Sequence, residues 1–72
     1  MTGHQAPANA IVKQAGQDYL AALKTLMRHP DSKAAMAEAM EIERFFHSPW
    51  YGVLTQVDPD YLIDRLRKEA AK

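Results

Sequence analysis

Glu43 and His47 stand four residues apart, a spacing that on a helix lets both side chains reach one bound ion. A zinc site needs about four protein ligands, or three and a water, and a di-metal site in a helical bundle needs paired Glu-x-x-His motifs. The chain supplies neither set, because its other histidines, His4 and His29, fall near the start of the chain and at a helix end. Glu43 and His47 therefore read as an ordinary surface pair, and no metal or cofactor is expected. Ser48, Thr55 and Tyr61 are the hydroxyls a catalyst could use, with the carboxylates as bases. No Gly-x-Ser-x-Gly elbow, phosphate-cradling glycine loop or base held by a third group accompanies them. Cysteine is absent, which excludes disulfides, thiolate chemistry and Cys-ligated zinc. No catalytic residue is expected, and the chain is not read as an enzyme.

The residue types that carry recognition are better represented. Four of the six aromatics, Phe45, Phe46, Trp50 and Tyr51, fall within seven residues. Most of them must serve the core of so small a chain. Not all can point inward, so Phe45, Trp50 and Tyr51 are candidates for a partner-binding patch, Trp and Tyr being the types that anchor interfaces. Phe46 is assigned inward and Trp50 to the rim. Residues 31–64 carry seven acids against Lys33 and Arg44, a local net charge of −5, while the first thirty residues carry +2 and the last eight +3. A solvated helix surface accounts for such a pattern. The sharper reading is an acidic side, with Glu38, Glu41, Glu43 and Asp60 around the aromatics, that steers the molecule onto a basic protein surface.

Arg65, Arg67 and Lys68 raise the alternative of a small dimeric DNA-binding regulator using the basic end of the last helix. Recognition helices read bases mostly from their N-terminal half, and here that half holds Asp58, Asp60 and Asp64. A formal net charge of zero also argues against a strongly basic nucleic-acid binder. Direct nucleic-acid binding is not favoured.

The elements that must position these residues follow from periodicity and start signals. Asn9 is placed as N-cap of a helix over 9–28, with the apolar stripe Val12, Ala15, Tyr19, Ala22, Leu23, Leu26 and Met27. Gly16 inside it costs about 1 kcal/mol relative to Ala, a cost usually offset where another element approaches closely. His29-Pro30 ends that helix. Asp31 or Ser32 caps a second helix over 32–47, whose stripe is Ala35, Met36, Ala39, Ile42 and Phe46, with Met40 and Phe45 at its edges. The short connection makes the two an antiparallel hairpin. Ser48-Pro49 is a further cap–proline start, giving a short helical segment over 49–55 in preference to a strand. Asp58-Pro59 opens a last helix over 59–70 with the stripe Leu62, Ile63, Leu66 and Ala70. The fold class is all-α: three main helices and one short one, in a single helical domain over 9–72 after a flexible lead-in over 1–8.

Seventy-two residues bury roughly 60% of their unfolded surface. Twelve of the hydrophobic residues are alanines, so core material is scarce and a partner or a second copy would help. A homodimer or structural homo-oligomer through the Ala/Met face of the second helix is the remaining alternative. The first residues lack the basic and apolar runs of a signal peptide, and no apolar run approaches the ~20 residues of a membrane helix. A cytoplasmic protein is expected.

Three stretches carry a resemblance. They are Ala10-Ile11-Val12 through Asp18-Tyr19-Leu20-Ala21-Ala22-Leu23, then Glu41 through Tyr51, then Leu54-Thr55-Gln56-Val57-Asp58 with Tyr61-Leu62-Ile63. Over about residues 10–69 the chain resembles small uncharacterised proteins of phages and integrated mobile elements of Gram-positive bacteria. Pro49 stands where such proteins often have an acidic residue, and Pro59 where they often have Gly. The resemblance implies no activity for any residue. It does imply a setting in which small proteins bind and block host complexes, as anti-CRISPR inhibitors do. The expected function is thus a non-enzymatic protein-binding module acting by surface occlusion, with a host nuclease or other nucleic-acid-binding complex as the expected kind of partner.

Overall fold

The computed structural model describes residues 7–72. Its helices are α1 (Pro7–Arg28), α2 (Lys33–Phe46), α3 (Pro49–Leu54) and α4 (Pro59–Ala70), and there is no strand among the described residues. This is the all-α bundle of three main helices and one short one that the sequence predicts.

Local chemistry explains the boundaries. Helix α1 starts at Pro7, two residues ahead of Asn9, which lies inside the helix and is not its cap. Proline suits a first turn because its fixed φ is already helical and its missing N–H has no helical partner there. Pro7 and Ala8, the end of the expected lead-in, are therefore helical, and its remainder lies outside the described residues. At the far end the His29 N–H donates to the Thr25 carbonyl at 2.7 Å, and Pro30 stops the helix. Ser32, and not Asp31, caps α2: its Oγ accepts from the Ala35 N–H at 3.2 Å. Ser48 Oγ accepts from the Tyr51 N–H at 3.3 Å and donates to the Phe45 carbonyl at 2.7 Å, so one hydroxyl ends α2 and starts α3. Asp58 occupies the N-cap of α4 without a side-chain cap bond, and Pro59 marks that start alone.

Helices α1 and α2 form the antiparallel hairpin, Ala22 and Thr25 of α1 lying beside Ala35 and Ser32 of α2. Helix α3 turns the chain beneath them, so α4 runs parallel to α1. Val12 and Gly16 lie beside Leu62 and Leu66, and Leu23 and Leu26 beside Ala70. Gly16 is where α4 comes close: a Cβ there would sit 3.8 Å from Leu66 Cδ1. The close approach expected at Gly16 comes from this leucine.

The core is Tyr19, Ala22, Ala39, Phe46, Tyr51 and Ile63, with Val12, Ala15, Leu23, Leu26, Ile42, Phe45, Leu62 and Leu66 packed around it. Tyr19 and Phe46 meet edge to face at 5.7 Å between ring centroids, and Phe46 and Tyr51 at 5.6 Å. Two expected stripe residues leave the core. Met27, which borders the same shallow groove as Ala70 at the end of α4, and Met36, beside Met40 on α2, are both exposed. Among the described residues no helix is long and apolar enough to cross a membrane.

Candidate functional site

The structure divides the aromatic cluster sharply. Phe46 and Tyr51 are buried, and Phe45 is partly buried with its ring 5.9 Å from Tyr51 and 5.8 Å from Phe46. Tyr51 is thus a core residue and not a surface anchor, while Phe45 packs against the core and stays partly exposed. The reason is the turn at Ser48: with Pro49 at the first position of α3, Tyr51 falls on the helix face directed at α1 and α2. Trp50, one residue earlier, is rotated about 100° from it. It is 53% exposed, and Val53, its neighbour three residues on, is 74% exposed. Trp50 and Val53 share the outer face of α3.

The expected ring of acids does not form as one set. Glu41 and Glu43 are two residues apart and point to sides of α2 about 200° apart. Glu43 turns to α1 and α4, where Tyr19 Oη donates to its Oε2 and Arg67 Nη2 donates to the same oxygen at 3.1 Å. Arg67 Nε also donates to Tyr19 Oη at 3.4 Å. This three-helix clamp satisfies the hydroxyl of a tyrosine that is otherwise fully buried. Burial first, and then the Glu43 carboxylate, push the Tyr19 hydroxyl above its ordinary 10. Hydrogen bonds to Tyr19 and Glu43 raise the Arg67 guanidinium above its ordinary value. Asp60 reaches back across the α2–α4 junction to His47 Nε2 at 3.0 Å, while His47 Nδ1 lies 3.0 Å from the Glu43 carbonyl. Glu38 lies on the opposite flank, bordering a shallow groove with Asp18, and Glu41 is exposed.

Arg65, Arg67 and Lys68 are likewise not one patch. Arg65 donates to Tyr61 Oη at 3.1 Å, Lys68 pairs with Asp64 at 3.1 Å, and Arg67 is held in the clamp. The candidate hydroxyls are occupied structurally: Ser48 caps α3, Thr55 Oγ1 accepts from the Val57 N–H at 3.2 Å, and Tyr61 accepts from Arg65. Among the described residues no three His, Asp or Glu side chains are grouped so as to hold a metal. The clamp had one sequence signal, a tyrosine in the middle of an apolar stripe whose hydroxyl would need a buried partner. Nothing local pointed to Arg67, which reaches Tyr19 from 48 residues away.

Comparison of the chain with known protein families, curated proteins and solved structures finds no match.

Proposed function

We propose that this chain is a non-enzymatic protein-binding module that acts by covering a partner's surface, with Trp50 as anchor and Val53 beside it on α3. One observation carries the reading. A small bundle that fills much of its interior with alanine and tyrosine leaves its single tryptophan 53% exposed. Tryptophan contributes more apolar area than any other side chain, and interfaces use it as a central anchor. The partner surface is proposed to be basic on the net charge of −5 over residues 31–64, most of which comes from Asp31, Asp58, Asp60 and Asp64, outside α2 and α3. A host nuclease or another nucleic-acid-binding complex fits that description.

The DNA-binding alternative has less support, since Arg65, Arg67 and Lys68 each have an intramolecular partner. Self-association through the Ala/Met face of α2 keeps only its methionine half, because Ala35 and Ala39 are buried while Met36 and Met40 are exposed.

The test is capture from a lysate of the encoding cells by wild type and by Trp50→Ala, each with and without nuclease. Recovery of one stoichiometric protein by wild type that survives nuclease and is lost with Trp50→Ala supports the module. Recovery of nucleic acid alone, or equal recovery by the variant, overturns it.

A further inference from the structure

A cavity of about 410 Å³ lies where the ends of α2 and α3 meet the start of α4. Two of the groups that line it have no partner. Tyr51 is 2% exposed, and its hydroxyl is buried with no hydrogen bond among the described residues. Asp58 holds the N-cap position of α4, yet its carboxylate caps no N–H and forms no ion pair among the described residues. An unpaired buried hydroxyl works against folding, and phenylalanine would fill the same space without that cost. Its presence points to a task other than packing. Burial first, and then the Asp58 charge, raise the Tyr51 hydroxyl above its ordinary 10, so at neutral pH it can both donate and accept.

The clamp across the bundle shows what completes such a pair. There a buried tyrosine and a carboxylate share one guanidinium: Arg67 Nε donates to Tyr19 Oη at 3.4 Å, and Nη2 donates to Glu43 Oε2 at 3.1 Å. Tyr51 and Asp58 offer the same two acceptors, and no lysine or arginine of the chain lines their cavity. The surroundings have the matching sign. The C-terminal ends of α2 and α3 both border the cavity, and a helix C-terminus favours a cation. The α4 N-terminus acts the other way, but Asp58 and Asp60 stand on it. His47, the other ionisable group in the lining, is matched by Asp60 at 3.0 Å.

We propose that this cavity takes the guanidinium of an arginine on the partner protein, bridging the Tyr51 hydroxyl and the Asp58 carboxylate as Arg67 bridges Tyr19 and Glu43. The proposal rests on the protein-binding reading above and gives the basic partner a specific residue to present. Arginine suits the pair better than lysine, because its planar fork reaches both oxygens at once. An anion is repelled by Asp58 and by the two helix ends. The Tyr51 hydroxyl is closed to water in the free chain, so a nitrogen reaches it only when the lining opens. Gln56 and Val57 are exposed and belong to no helix, which makes them the part that gives.

The probe is N-acetyl-arginine-N-methylamide, titrated into the isotope-labelled full chain, with its lysine counterpart as control. The arginine probe should shift the backbone amides of Gly52, Gln56 and Val57 and bind more tightly than the lysine probe. Tyr51→Phe and Asp58→Asn should each weaken it about tenfold, while Tyr51→Phe unfolds at or above the wild-type midpoint. Trp50 does not line the cavity, so Trp50→Ala leaves this titration unchanged, and failure here is distinguishable from failure of the Trp50 reading. In the lysate capture, Tyr51→Phe should lose the protein that wild type recovers. The proposal is overturned by an absence of shifts, by equal binding of the lysine probe, or by binding that ignores both variants. Undiminished capture by Tyr51→Phe would overturn the partner protein as the source of the guanidinium.

Discussion

Gly16→Ala should stabilise the chain, and the size of the gain follows from two separate effects. Gly16 lies ten residues into the 22-residue helix α1, where glycine costs about 0.8–1.0 kcal/mol relative to alanine. The added Cβ would sit 3.8 Å from Leu66 Cδ1, an ordinary van der Waals contact that requires nothing to move. Because Gly16 is buried, the new methyl also leaves water, which contributes up to roughly 0.8 kcal/mol. The expected gain is therefore about 1–1.5 kcal/mol, and the midpoint of thermal unfolding rises by at least about 4 °C. Circular dichroism during thermal and urea unfolding measures both. Gly52→Ala is the comparison, since nothing lies within 4 Å of a Cβ at that position and only the propensity gain remains. A fall in stability for Gly16→Ala would refute the α1–α4 packing, because it would mean that α4 lies closer to α1 than the Leu66 contact allows.

Other consequences follow from the same geometry. The Tyr51 hydroxyl is buried without a hydrogen-bond partner among the described residues, so Tyr51→Phe should hold or raise unfolding free energy by roughly 1 kcal/mol. A loss of that size would mean the hydroxyl is satisfied in solution. Phe46→Ala removes a fully buried ring and should cost about 3–5 kcal/mol, whereas Trp50→Ala should cost about 1 kcal/mol or less. Equal costs would contradict the division of the aromatics. The hydrogen bond to Asp60, and then that to the Glu43 carbonyl, raise His47 above its ordinary 6.5 in the folded chain. Its protonated form thus favours folding, a contribution present below about pH 6.5 and lost as pH rises through the folded-state value. In an NMR titration Asp60→Asn should lower the His47 midpoint, and an unchanged midpoint would show that the pair does not form.

The fold was legible because its signals are local. Ser48-Pro49 and Asp58-Pro59 each place a proline one residue after a capping type, and both mark true helix starts. The stripes of α1 and α4 follow from spacing, save for Met27, which is left exposed beside Ala70 where the two helices end. That depends on tertiary arrangement and leaves no mark near Met27. The aromatic patch was half legible. Phe46 inward and Trp50 at the rim were legible from the clustering, but placing Tyr51 in the core needs the orientation of a six-residue helix against α1. The Tyr19–Glu43–Arg67 clamp joins three helices, and sequence spacing says nothing about such a meeting.

Trp50 is the only tryptophan in the chain, so intrinsic fluorescence reports on the proposed anchor without any substitution. Emission of the folded, unbound protein should lie close to that of the denatured chain and be readily quenched by acrylamide. Addition of the captured partner should then shift it to shorter wavelength and protect it from quencher. A blue-shifted, acrylamide-protected emission in the isolated folded chain would place Trp50 in the core and contradict the account.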